Sequence, residues 1–215
     1  MDIAAAKLSD MFAVIAEAMT REKDRLCELD GVIGDADHGI AMELGFGAAA
    51  KAVRALDLAD VAPTVVFNTA AKSFLNAVGA SSGPLYATAF MRAGAAVKGR
   101  NTLDDGGMAQ AFIAMARGIQ ERGKAEIGEK TMIDAWLPAA NACEAALSAG
   151  GSLAECLAAA VVEARSGAEA TKSMLASKGR ASRLGDRVLG HVDPGAASAV
   201  VVIEAMKQAL TGGKV

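Results

Sequence analysis

Apolar residues recur at three- and four-residue intervals from one end of the chain to the other, the spacing that gathers them on one face of an α-helix. Glycines, prolines and capping residues cut this pattern into about eight stretches and predict helices over residues 4–28, 38–56, 61–78, 82–98, 103–121, 131–149, 153–177 and 194–210. Several starts are chemically marked. Ser152-Leu153-Ala154-Glu155 reads as a capping box, Thr102 with Asp105 as a similar one, and Pro63, Pro84 and Pro194 suit a first helical turn. Val200-Val201-Val202-Ile203 has the propensity of a buried strand, but it lies inside an apolar stretch opened by Asp193-Pro194 and closed by Gly212-Gly213, so its length favours helix. Short connections between helices make neighbours antiparallel, and the expected fold class is all-α, an up-and-down bundle of eight helices.

Composition sharpens this picture. The chain has 215 residues, of which 53% are hydrophobic and only 4% aromatic, so its apolar content is mainly Ala, Leu, Val and Met, suited to close helix packing. That length supports one well-buried domain, and no compositional break marks a linker, so residues 1–215 are expected to form one domain. The formal net charge of −3 provides no positive field for nucleic acid or an anionic membrane. The N-terminal residues lack the basic and long apolar regions of a signal peptide, and later apolar runs are too short to span a bilayer, which predicts a cytoplasmic protein. Cys27, Cys143 and Cys156 show no paired spacing for zinc or a disulfide framework and read as small core residues.

The candidate chemistry is concentrated at glycine-rich turns. Asp30-Gly31-Val32-Ile33-Gly34-Asp35-Ala36-Asp37-His38-Gly39 puts three carboxylates and an imidazole between the first two predicted helices, and converging carboxylates repel unless a hard cation joins them. A calcium loop starting at Asp35 would need glycine at the sixth position and glutamate at the twelfth. Ile40 and Phe46 stand there, so magnesium fits better. The plainer alternative is that the aspartates cap the next helix. From Lys178 to Gly195 a loop carries Arg180, Arg183 and Arg187, any of which could fork onto phosphate, and then enters a helix at Asp193-Pro194-Gly195. Gly79-Ala80-Ser81-Ser82-Gly83-Pro84 is a small-residue turn that lets a ligand approach the backbone, and the segment from Arg122 to Met132 could cover a base. Neither the Walker phosphate loop nor the dinucleotide glycine fingerprint occurs.

Four of these segments carry a resemblance. Ile33-Gly34-Asp35-Ala36-Asp37-His38-Gly39, Gly123-Lys124-Ala125-Glu126, Lys130-Thr131-Met132-Ile133-Asp134, and Gly179-Arg180-Ala181-Ser182 followed by Gly190-His191-Val192-Asp193-Pro194-Gly195 resemble the L subunit of bacterial dihydroxyacetone kinases, in order and over nearly the whole chain. The resemblance implies an antiparallel eight-helix barrel with a nucleotide at one end. It implies that Asp30, Asp35 and Asp37 ligate two magnesium ions on the phosphates of ADP or ATP. It implies nucleotide contacts at His38, Gly39, Ile40 and Ala41 or Met42, and at Ser81, Ser82, Gly123, Met132, Arg180, Asp193, Pro194 and Gly195, with Arg180 also catalytic. Position 41 departs from the family pattern, which carries a polar asparagine. In such kinases the sugar is held on a separate K subunit, so the expected partners are that subunit and, where phosphoenolpyruvate is the source, a phosphocarrier M subunit. The alternative reading is a nucleotide-sensing regulatory module.

Overall fold

The computed structural model describes residues 2–79 and 82–212. Among the described residues, eight helices follow one another: α1 (Ala5–Ile33), α2 (His38–Arg54), α3 (Pro63–Ala77), α4 (Ser82–Ala96), α5 (Asp105–Gly123), α6 (Ile133–Ser148), α7 (Leu153–Ala170) and α8 (Pro194–Thr211). Three short 3-10 turns, Thr171–Ser173, Ala181–Arg183 and Gly185–Val188, punctuate the connection between α7 and α8. The segment 200–203 is helical, inside α8. The sole β-type pairing among the described residues is an antiparallel bridge in which Ile3 and Leu103 exchange backbone hydrogen bonds of 2.8 and 2.9 Å.

Each helix packs on the next, and α8 returns to pack on α1, so the up-and-down order closes into a ring. The ring is filled by Phe12, Phe46, Phe67, Phe74, Tyr86 and Trp136, all buried, with edge-on pairs such as Phe46 and Phe74 at 5.0 Å between ring centres. Buried apolar side chains form one continuous cluster that includes Cys143 and Cys156. Burial pushes the Cys143 thiol up to about 12, which leaves it inert, as the sequence suggested.

The expected ends shift for local reasons. Ser152 makes the capping box with Glu155, but the cap of α5 is Asp104, whose carboxylate accepts from the Gly107 N–H at 2.7 Å, and not Thr102. The seventh helix stops at Ala170, well before residue 177. Pro63 and Pro194 occupy first turns, whereas Pro138 lies within α6 without ending it. The antiparallel order has a further result: α2, α4, α6 and α8 all begin at the same end of the ring.

Candidate functional site

Asp30 lies in the last turn of α1, because that helix runs on to Ile33, past the end expected at residue 28. It is buried, and its Oδ2 accepts from the backbone N–H groups of Asp37 at 3.0 Å and His38 at 3.3 Å, joining the end of α1 to the start of α2. Gly34 is required here, since a Cβ would fall on the Asp30 carboxylate. Ala36 then turns the chain with a φ of 61°, a left-handed conformation uncommon for a residue bearing a Cβ. As a result one carboxylate oxygen from each of Asp30, Asp35 and Asp37 lies within 4.8 Å of the others. Burial, and then the charges of Asp35 and Asp30, hold the Asp37 carboxyl above its usual range, with Arg180 opposing. A divalent cation relieves such repulsion, and an all-oxygen donor set of this size fits magnesium.

These carboxylates line one side of a cavity of about 680 Å³ at the end of the ring where the even-numbered helices begin. His38, Ser82, Ile133 and Pro194, the first residues of α2, α4, α6 and α8, all line it. Four helix N-termini therefore direct positive dipole ends toward one space. Among the other expected residues, Ala41, Gly123, Met132, Asp193 and Gly195 also line the cavity. Gly39 and Ile40 do not: Gly39 is packed so closely on α1 that a Cβ would meet the Lys23 carbonyl, and Ile40 is exposed on the outside of α2. Met42 is buried in the core, which leaves Ala41 as the cavity residue of that pair, and Ser81 lies outside the described residues.

Half-buried His38 has its pKa lowered by burial, with Asp30 opposing. Its Nε2 is 2.8 Å from Ser198 Oγ. The Ser198 hydroxyl also lies 3.0 Å from the Gly195 carbonyl, so the contact ties the imidazole to the first turn of α8. Asp193 caps α8, accepting from the Ala196 N–H at 2.7 Å. Burial pushes its carboxyl up to about 7, opposed by that bond and by Lys130.

The connection from α7 to α8 crosses the mouth of the cavity. Of its three arginines, Arg180 alone lines the cavity, and its Nη1 lies 2.9 Å from Asp35 Oδ2. Leu85, Ile119, Met132 and Ile133 supply the cavity with an apolar wall. Met132 is expected from the sequence, in a segment that could cover a base, whereas Leu85, Ile119, Ile133 and the buried Lys130 are not singled out. Those apolar residues look like any core position, and Lys130 like one more charge in a glycine-containing turn.

The ring of antiparallel helices is matched among known proteins. Residues 32–208 match the DAK2 domain. The chain is 43% identical over 192 residues to the ADP-binding subunit DhaL of PEP-dependent dihydroxyacetone kinase 1 of Listeria innocua, covering 89% of this chain and 90% of the relative. It is 35% identical over 204 residues to the corresponding ADP-binding subunit DhaL of Escherichia coli K12, with 95% and 96% covered. Among solved structures it is similar to the dihydroxyacetone kinase of C. freundii in complex with AMP-PNP and Mg2+, with a TM-score of 0.73 and 26% identity. That match takes in 97% of this chain and 34% of the other, so the chain spans about a third of that protein's length. The chain belongs to the DAK2 domain family and, within it, to the DhaL group.

Proposed function

We propose that the chain is the nucleotide-carrying subunit of a kinase for dihydroxyacetone or a related ketose, acting as one domain in the cytoplasm. The observation that carries this reading is the convergence of four helix N-termini, three carboxylates and one arginine on a single cavity with an apolar wall. The apolar wall of Leu85, Ile119, Met132 and Ile133 suits a purine. The positive ends of α2, α4 and α8 suit the phosphates of ADP or ATP. Asp30, Asp35 and Asp37 hold two magnesium ions, which supply charge neutralisation to the transferring phosphoryl group when bound. Arg180 donates to phosphate oxygens at the open side of the cavity, where charge develops during transfer.

The ketose is held on a separate K subunit that docks at this end of the ring. The phosphate comes either from ATP or from a phosphocarrier M subunit that recharges bound ADP. Purified chain mixed with a K subunit, magnesium and dihydroxyacetone should form the sugar phosphate with one of those two supplies. Asp35→Asn should reduce Mg-ADP affinity by at least about tenfold, the scale of one lost charged ligand, with an unchanged helical circular dichroism spectrum. Unaltered affinity in that variant would remove the metal assignment. Tight Mg-ADP binding without phosphorylation by either supply would instead make the chain a nucleotide-sensing module.

A further inference from the structure

The connection of residues 171–193 that brings Arg180 to the aspartates is long and mostly polar, yet it is held at its base by a single buried cation. Lys130 is 1% exposed. Its Nζ donates to the carbonyls of Thr171 and His191, each at 2.5 Å, so one ammonium joins the residue where the strap leaves α7 to one just before it enters α8. The same two feet are stitched by Gly190 N–H to the Lys172 carbonyl at 2.8 Å and by Asp193 N–H to Thr171 Oγ1 at 2.9 Å. Glu129 holds the outgoing limb, accepting from Ser177 Oγ at 2.8 Å and pairing with Lys178 at 3.7 Å.

Lys130 reaches inward because its backbone is left-handed, with a φ of 57°, which turns its side chain away from that of Glu129. Asp134 keeps the turn in that shape, accepting from the N–H groups of Gly128 at 2.6 Å and Thr131 at 2.8 Å. A left-handed lysine is an unfavourable local conformation and persists where its surroundings enforce it. Burial lowers its pKa, while the charges of Asp193 and Asp134 favour the ammonium. Lys130 also lines the cavity beside Asp193, so the clamp and the site share one floor.

We propose that Lys130 is a positioning residue for Arg180: by clamping both feet of the 171–193 strap it sets where the guanidinium stands relative to the aspartate cluster. This assignment rests on the nucleotide reading only for the identity of what Arg180 meets. The clamp itself is tested on the free chain, by amide hydrogen exchange of residues 172–190 in parent, K130M and K130R. K130M removes the ammonium that joins the two carbonyls, leaving the Thr171 carbonyl bonded only to the Met174 N–H of its own limb, so exchange of the strap should rise by about tenfold or more while α2 to α5 stay protected. K130R keeps a buried cation able to reach both carbonyls and should restore most of the protection.

A second measurement separates positioning from general support. Mg-ADP affinity is compared in parent, K130M, R180A and the double variant. If Lys130 acts through Arg180, the double variant binds no more weakly than R180A alone, within about twofold, whereas independent effects would multiply. Unchanged strap exchange in K130M, multiplied losses in the double variant, or a K130R strap as open as that of K130M would each overturn the proposal. Loss of the helical spectrum in both K130M and K130R would overturn it too, because Lys130 would then support the whole fold. A parent chain that does not take up Mg-ADP would defeat the nucleotide reading, and the exchange results would still decide the clamp.

Discussion

At the scale of single residues, the site is built from groups each bound to local structure as well as to a ligand. Asp193 shows the tension most clearly: it caps α8, yet burial pushes its carboxyl from 3.8 up to about 7. A raised folded pKa means the folded chain holds a proton that the unfolded chain has released. The associated stability is therefore complete below about pH 4 and is lost as pH rises through about 7. Asp193→Asn keeps an oxygen for the Ala196 N–H and removes the titration. The urea midpoint of this variant should change less steeply than that of the parent between pH 4 and pH 7, and parallel pH profiles would show that Asp193 ionises normally. The aspartates were legible in the sequence because repelling charges beside glycines stand out, whereas only the family resemblance separated Arg180 from Arg183 and Arg187. Lys130 was not, because what makes it unusual is burial and a left-handed backbone, and neither leaves a mark on residue type.

At the scale of elements, helix identity follows from apolar spacing, while helix ends follow from side chains whose partners are distant in sequence. Asp105, expected inside a capping box with Thr102, accepts instead from the Leu153 N–H at 3.0 Å at the start of α7, and Asp104 takes over the cap. Pro138 has no N–H to offer the Asp134 carbonyl one turn earlier, yet α6 continues, and that carbonyl lies against Gly167 of α7. A Cβ at residue 167 would collide with it. Gly167→Ala should therefore destabilise the protein by about 1–3 kcal/mol through forced separation of α6 and α7. Gly47 offers the matched contrast, since it sits within α2 with nothing within 4 Å of the added methyl. Gly47→Ala should stabilise by about 0.4–1 kcal/mol by restricting the unfolded chain. Chemical denaturation of the two variants reads both signs, and a loss of stability on Gly47→Ala would mean that helix propensity is not what governs that position.

At the scale of the whole molecule, closure of the ring is what converts scattered turns into one site. The sequence indicates eight helices and antiparallel neighbours, but the return of α8 onto α1 depends on packing between residues near the two ends of the chain, which no local pattern records. Closure places the starts of four helices and the α7 to α8 strap around the same cavity, so elements that share few direct contacts are coupled through whatever occupies it. A ligand there binds only the closed fold, and its binding energy adds to folding by mass action. At a hundredfold excess over the dissociation constant, Mg-ADP should add about 2.7 kcal/mol, equivalent to a rise in melting temperature of about 5–10 °C for a chain of this length. The magnesium dependence follows from the aspartates: without a bound metal, the ADP phosphates would face three carboxylates, opposed by the helix ends and by the cavity's cationic side chains, of which Arg180 is paired with Asp35. Thermal melts with ADP alone, magnesium alone, both together, and both with excess EDTA should show the large shift only in the third. An equal shift with ADP and EDTA would mean that the carboxylates are not the phosphate-side anchor, and that the nucleotide is held by the helix ends and the apolar wall.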